Sequence, residues 1–371
     1  MSTASKALFV DTESELASLI LKLSEQDFVA LDTEFVRERT YYPKLCLIQL
    51  ANDQVTACVD PLAIQDLSPL LEIFQNKHTT KILHAARQDL EVIFQALSIV
   101  PTPIFDTQIA AALLGHDVQT GYAALVEAVL QVSLSKEHTR TDWSQRPLEA
   151  EQLRYAADDV HYLVPLYHRL DDTLKQRDRI GWLQHDVKSL TEVKLYEADP
   201  EQAWTRIKGA RKLDGRQLQA LKDACAWREE RAISKNKPRQ WILKNNVVLE
   251  FARTLPQTKA ALGTLLGMPS FLVRHCGDEL LEISNRAAAV EPTPSEQSHQ
   301  RLSREQKDRL AAMTAIVEQR SAEQEIHPSL LATRRDLEAL LRGGTDLAVL
   351  RDWRWDVVGR ELAALVSSEA G

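Results

Sequence analysis

The run FVALDTEFVRERTYYPKLCLIQL, residues 28–50, sets Asp32 and Glu34 two positions apart, directly after four apolar residues. Side chains in a strand alternate faces, so both carboxylates project from one side and Thr33 from the other. Two ionised carboxylates a few ångströms apart repel, and at a strand end such a pair calls for bulk water or a cation. Other acids stand where a core-facing residue would be apolar. Asp89 sits at the edge of the stripe Leu90, Ile93, Phe94 and Leu97, just after strand-like Lys81 to Leu83. By itself such an early-helix acid complements the macrodipole. In LRYAADDVHYLVPL, Leu153, Ala157, Val160 and Val164 form a core stripe, and Tyr155, Asp159, Tyr162 and Leu166 form a second on the opposite side. Tyr155 and Asp159 are therefore adjacent at i and i+4, and Asp158 points elsewhere. An isolated Y-x-x-x-D is an ordinary exposed helix face; the combination carries the weight.

These residues need a scaffold, and the pattern supplies one. Residues 28–170 alternate strand-like runs (FVALDTEF, LCLIQLAN, VTACVD, KILHA) with helix-like ones, of which AEQLRYAADDVHYLVPLYHRLDDTLKQR is the longest. That order predicts an α/β domain with a mixed sheet. From about residue 204 onward no strand pattern is evident, and that half reads as all-helical. Residues 221–253 and 313–343 share a plan: a helix ending in an Arg-containing polar turn, a proline (Pro238 or Pro328), an apolar pair, then another amphipathic helix. This reads as a diverged repeat. Between the copies, AAAVEPTPSEQSHQRLS has the composition of a linker. Three domains are expected, at 1–200, 204–288 and 300–371.

The 371-residue chain is 44% hydrophobic and 26% charged, a soluble globular composition, with no apolar run near the ~18 residues of a membrane span. Ahead of the first acids only Ala7 to Val10 is apolar, too little for a secretory signal, so a cytoplasmic location is expected. Cys46, Cys58, Cys225 and Cys276 form no C-x-x-C pair and are expected to be reduced core residues, with neither a disulfide framework nor a zinc site indicated. The net charge is −8, but Arg206 to Lys244 holds twelve Lys and Arg against four Asp and Glu. A basic segment beside an acidic body is either a nucleic-acid footprint or a solvated helical face. Gly is sparse, and neither G-x-G-x-x-G nor G-x-x-x-x-G-K-[ST] occurs, which excludes the usual nucleotide cradles.

Asp-x-Glu on a strand, Asp at a helix start and Tyr-x-x-x-Asp on a later helix resemble the DEDDy branch of the DnaQ-like 3′ to 5′ exonucleases. LDTEFVRERTYYPKLCLIQLA, ILHAARQDLEVI, IFDTQIAAALLG and DWSQRPLEAEQLRYAADDVHYL together resemble the bacterial ribonuclease D family, and the helical repeats are similar to HRDC domains, of which that family carries two. The resemblance covers nearly the whole chain and implies a ribonuclease H-like (DnaQ-like) exonuclease domain with a mixed sheet, followed by two all-α HRDC domains. It also implies that Asp32, Glu34, Asp89 and Asp159 hold two divalent ions, Mg²⁺ or Mn²⁺, and that Tyr155 orients the attacking water or helps to take its proton. The implied activity is stepwise 3′ to 5′ trimming of structured RNAs with a single-stranded 3′ end, such as tRNA precursors, with release of nucleoside 5′-monophosphates. A monomer suits three domains tied by linkers.

Other residues divide between roles. Phe35 stacks on a terminal base or packs in the core. His84 and Gln88 contact sugar or phosphate, or His84 is a satisfied structural histidine. Lys136, Trp143 and Arg146 precede the Tyr155 helix as candidate backbone contacts, with Trp143 and Pro147 also suited to packing that loop. Asp106 in FDTQ suits an N-cap. The first HRDC copy, with Trp204, Trp227 and Trp241 among its basic residues, is the better nucleic-acid candidate, since residues 301–371 hold eleven Lys and Arg against twelve Asp and Glu. Two other readings remain: a DNA-directed exonuclease, because the acids do not read the 2′-hydroxyl, and a silent RNA-binding scaffold, whose signature would be a missing metal ligand.

Overall fold

The computed structural model describes residues 7–134, 141–291 and 302–367, in two compact units. The first holds the described residues up to 36, then 45–196 and 302–367; the second holds 37–44 and 197–291. Lys136 lies outside the described residues.

In the first unit six strands form one mixed sheet: β1 (Leu8–Val10), β2 (Phe28–Val36), β3 (Lys44–Ala51), β4 (Thr56–Val59), β5 (Thr80–Leu83) and β6 (Ile104–Asp106), in the order β1-β4-β3-β2-β5-β6. β1 and β4, β2 and β5, and β5 and β6 run parallel, whereas β3 and β4 are antiparallel. The three-residue edge strands β1 and β6 are too short to show a period of two, so the sequence pattern missed them. β2 reads as almost pure hydrocarbon up to Leu31 because Phe28 to Leu31 are buried.

Helices cover the sheet. α1 (Glu13–Leu23) is capped by Thr12, whose hydroxyl accepts from the Glu15 amide, and buries Leu16, Leu19, Ile20 and Leu23. α2 (Arg87–Leu97) follows β5, and α3 (Thr107–Ala112) follows β6. The long helix expected over residues 150–177 is broken: α4 (Ala150–His161) ends at Tyr162 and α5 (Leu163–Gln176) restarts. Pro165 explains the break, since it has no N–H to bond the His161 carbonyl and its ring crowds that carbonyl. Leu166, grouped by the wheel with Tyr155 and Asp159, lies instead in this second helix and is fully buried.

The C-terminal segment packs into the same unit. Trp353 stacks on Trp182 of α6 (Ile180–Lys188), with ring centroids 4.2 Å apart and planes 8° from parallel. Arg354 donates through both Nη atoms to Asp186, at 2.6 and 3.0 Å. Arg179 donates to the carbonyls of Leu113 (2.6 Å) and Gln324 (2.7 Å). Gly115 makes the approach of the 325 turn feasible: its φ is +100°, and a Cβ there would lie 2.7 Å from the Glu325 carbonyl oxygen.

The second unit is helical among its described residues: α7 (Gly215–Ser234), a single turn at Arg239–Ile242, α8 (Asn245–Thr254) and α9 (Ser270–Ala288). The C-terminal segment repeats the first three, with α10 (Arg304–Glu323), a turn at Pro328–Leu331 and α11 (Arg334–Leu341). Both long helices end alike. Asn236 (φ 43°) and Glu325 (φ 51°) are left-handed, and the next amide bonds the carbonyl five residues back, Lys237 to Ala232 at 2.9 Å and Ile326 to Ser321 at 3.0 Å. This is the closing motif by which a helix satisfies its last carbonyls before turning. The segment 37–44, between β2 and β3, belongs to the second unit: Tyr41 Oη donates to buried Glu229 at 2.6 Å, and the Tyr41 amide donates to Asn236 Oδ1 at 3.0 Å. All four cysteines are free and buried.

Candidate active site

Asp32 and Glu34 lie near the end of β2, and Asp159 lies on α4, which packs against β2 and β4. One carboxylate oxygen from each of the three falls within 4.8 Å of the others. Asp89 stands apart from that set. It is buried at the start of α2, and its Oδ1 accepts from the Thr33 hydroxyl at 2.6 Å. Thr33, set aside by the alternation of the strand, thus holds the fourth acid from the far face of β2.

The charges are unbalanced. Burial pushes the Asp32 carboxyl up to about 8, with Asp159 adding to the rise. Burial, then Asp32, Asp159 and Asp89, push Glu34 up to about 9. Asp159 rises to about 7 through burial, Asp158 and Asp89, and Asp89 rises well above the ordinary carboxylate range through burial and Asp32. The charges that raise these carboxyls are other acids, and among the described residues no basic side chain offsets them as it would in a structural ion-pair network. Hard oxygen donors, clustered without a basic partner among the described residues, fit divalent cations such as Mg²⁺ or Mn²⁺.

Tyr155 lies one turn before Asp159 on α4, and its phenol is held above its usual range by burial, then by Asp159, Glu34 and Asp32. Its ring stacks with Trp143 at a centroid distance of 6.3 Å. Trp143 is only 4% exposed, so it packs the loop and supports Tyr155 rather than presenting itself to a substrate.

Arg146 requires a correction. As a candidate backbone contact it would need a free donor, yet all five N–H groups are committed inside the protein. Nε and Nη2 donate to the two oxygens of Asp60 at 2.6 and 2.7 Å; Nη2 also donates to the Cys46 carbonyl (2.7 Å), and Nη1 donates to the Trp143 (2.8 Å) and Gln145 (2.7 Å) carbonyls. Burial favours the neutral Asp60 carboxyl, but the Arg146 hydrogen bond, the Leu62 amide and the guanidinium charge outweigh it and hold the pKa low. Arg146 is therefore the clamp of the 141–148 loop. Nothing local in the sequence signals its partner Asp60.

His84 is also engaged by the fold: Nε2 lies 3.1 Å from the Thr120 carbonyl and Nδ1 lies 2.9 Å from Thr107 Oγ1. Asp106 caps α3 by accepting from the Gln108 (2.9 Å) and Ile109 (3.3 Å) amides, and it also accepts from Ala85 (3.2 Å) and Ala86 (2.8 Å) where α2 begins. Gln88 is exposed on the first turn of α2, and Phe35 is half-buried against the main core. In the second unit the basic stretch is partly internal. Arg228 is buried and donates to the Leu243 carbonyl and Asn245, Arg239 pairs with Glu229, and Arg231 pairs with Glu279. Lys208, Arg211, Lys212, Lys235, Lys237 and Lys244 remain exposed.

The chain is similar to proteins of known family and structure. Residues 8–175 match the 3′-5′ exonuclease family model, and residues 217–283 match the HRDC domain model. The chain is 35% identical to ribonuclease D of Pseudomonas paraeruginosa over 99% of both chains, and 37% identical to ribonuclease D of Zymomonas mobilis over 97% of this chain and 94% of that one. The crystal structure of Escherichia coli RNase D, described as an exoribonuclease involved in structured RNA processing, superposes with a TM-score of 0.87 at 30% identity, covering 99% of this chain and 100% of that one. The catalytic core of RRP6 from Trypanosoma brucei superposes with a TM-score of 0.59 at 26% identity, covering 78% of this chain and 82% of that one.

Proposed function

The chain belongs to the ribonuclease D family and is a metal-dependent exoribonuclease, and on that premise we propose that it trims single-stranded 3′ tails from structured RNA such as tRNA precursors, one nucleoside 5′-monophosphate at a time. The carrying observation is the cluster of Asp32, Glu34 and Asp159, with Asp89 adjoining and Tyr155 one turn away. Asp32, Glu34, Asp89 and Asp159 are the proposed ligands of two divalent ions, Mg²⁺ or Mn²⁺, which when bound lower the pKa of water and neutralise charge developing on the phosphate. Tyr155, its phenol held protonated beside these acids, is proposed to orient the attacking water, and its position one turn before Asp159 supports reading the chain as a DEDDy-type enzyme. Thr33 fixes Asp89, and the Arg146 clamp with Trp143 fixes Tyr155. Phe35 and Gln88 stay as proposed contacts to the terminal nucleotide. The function is carried out in the cytoplasm by a monomer.

The segments at 204–288 and 300–371 are proposed as two HRDC copies, supported by the shared helix order and helix-ending motif. The first is the RNA-binding copy, with its exposed Lys208, Arg211, Lys212, Lys235, Lys237 and Lys244.

The test is a 5′-labelled hairpin RNA with a short 3′ tail, incubated with Mg²⁺ or EDTA beside the equivalent DNA. Stepwise shortening of the RNA only with metal is expected, and preferential shortening of the DNA would refute the substrate class. Asp32→Asn is expected to abolish hydrolysis at saturating Mg²⁺ with an unchanged circular-dichroism spectrum and retained RNA binding; turnover in that variant would overturn the ligand assignment.

A further inference from the structure

Gln49, in the middle of β3, is fully buried, and neither its Nε2 nor its Oε1 has a hydrogen-bond partner among the described residues. A buried side-chain amide with both ends empty is rare and costly in a folded protein, so its retention calls for a partner that the chain does not itself supply.

Strand register says where the amide lies. Across the antiparallel β3–β4 pair, Ile48 faces Val59 and Leu50 faces Ala57, and all four point into the main core. Gln49 faces Cys58, so these two share the other side of the sheet. That side is covered by α4: Cys58 packs with Leu47, Trp143, Ala156 and Ala157, and its Sγ lies 3.8 Å from the Leu153 carbonyl. In the sheet order β3 is flanked by β4 on one side and by β2, the strand of Asp32 and Glu34, on the other. Gln49 therefore stands on β3 between Cys58 and the acid-bearing strand. The charge of the site reaches across this position: burial and then Asp159, Asp32 and Glu34 push the Cys58 thiol up to about 12.

We propose that Gln49 is a positioning residue of the metal centre, its Nε2–H donating to the carboxylates of that centre, directly or through one enclosed water, when they turn to hold the ions. An amide suits this task because it donates to a carboxylate oxygen not used by the cation, and it stays neutral throughout. Leucine or methionine of similar size would fill the space and leave that oxygen without its donor. The inference rests on the metal-site reading of Asp32, Glu34 and Asp159.

The test uses the full chain and Mn²⁺ as the probe, in titration calorimetry and in urea unfolding with EDTA, on wild type, Asp32→Asn, Gln49→Leu and Gln49→Met. Because both substitutions remove two unpartnered polar atoms, the metal-free variants are expected to unfold at the same or a higher urea concentration than wild type. Their Mn²⁺ affinity is expected to fall about 10- to 100-fold, the usual effect of losing an outer hydrogen bond to a ligand. If Asp32→Asn weakens Mn²⁺ binding while both Gln49 variants bind as wild type does, this inference fails and the metal site stands. Wild type that binds no Mn²⁺ overturns both. A loss of stability in EDTA with unchanged Mn²⁺ affinity would assign the amide to the fold and likewise overturn the proposal.

Discussion

Replacing Arg146 with alanine strips five donors from one loop at once. Asp60, whose side chain is 4% exposed, loses both oxygens' guanidinium contacts and keeps the Leu62 amide at 2.9 Å, while the Cys46, Trp143 and Gln145 carbonyls lose a donor each. Removing one partner of a buried ion pair costs about 3–5 kcal/mol. The Arg146 side chain is 25% exposed, so water re-solvates part of the site and about 2–3 kcal/mol is expected here. The loop also carries Trp143, which stacks on Tyr155. A positioned acid–base group contributes roughly 10²- to 10⁴-fold, so a loosened Tyr155 should lower kcat by about 10-fold while leaving Mn²⁺ affinity intact. Urea unfolding at fixed pH gives the first quantity, and single-turnover cleavage at saturating RNA gives the second. Arg146→Lys keeps the charge but cannot make the fork, and it is expected to behave like the alanine variant. The clamp assignment would be refuted if stability and kcat held while KM rose and the salt dependence of RNA binding weakened, with lysine rescuing both, because that is how a phosphate contact behaves.

Acidity provides another check. Asp32 and Glu34 titrate in the fold near 8 and 9, above the unfolded values of 3.8 and 4.5, so their protonated forms favour the fold at low pH and that contribution is lost as pH rises through the folded values. In EDTA the urea midpoint should therefore fall between pH 6 and pH 9, and saturating Mg²⁺ should abolish the fall; a midpoint insensitive to both would contradict the crowded-acid picture. Changing Lys208, Arg211 and Lys212 to alanine, with Arg206 spared because it lies 3.4 Å from buried Glu229, should reduce the slope of log affinity against log salt by about 2. An unchanged slope in a filter-binding titration would move the RNA contact elsewhere. Lys81 is fully buried, and its three N–H groups are shared among the carbonyls of Thr79 (2.6 Å), Thr102 (2.7 Å), Asn76 (2.9 Å) and Ile73 (3.3 Å). Lys81→Met should cost about 2–4 kcal/mol in urea unfolding through those orphaned acceptors, and a neutral result would show that water replaces the ammonium.

The acids were legible because each lies in a short pattern whose period fixes its direction: Asp-x-Glu on a strand, and Tyr-x-x-x-Asp on a helix. Asp106 was legible as a cap for the same local reason, though not its second pair of donors at Ala85 and Ala86. What stayed hidden depends on contacts distant in sequence. Arg146 resembles a phosphate ligand until Asp60 appears opposite it, and Thr33 looks like a spacer until Asp89 accepts its hydroxyl. Gln49 reads as a polar interruption in LCLIQLA, and only the register against Cys58 gives it a direction. The break between α4 and α5 was visible in Pro165 but was overridden by the continuous apolar pattern around it.

The return of residues 302–367 to the unit that contains the sheet bears on how the chain is made on the ribosome. Met313, Val317, Leu337, Trp353 and Leu362 belong to the same buried cluster as Leu16, Val29 and Ile93. A nascent chain that ends near residue 200 therefore has Asp32, Glu34, Asp89 and Asp159 but an uncovered apolar surface where α10, α11 and Trp353 will sit. Long-range closure of this kind is slow and leaves sticky intermediates. Synthesis therefore places the helical unit 197–291 before the residues that finish the catalytic one. A truncated message then yields an aggregation-prone fragment with an unfinished core rather than a compact nuclease without its second, helical unit.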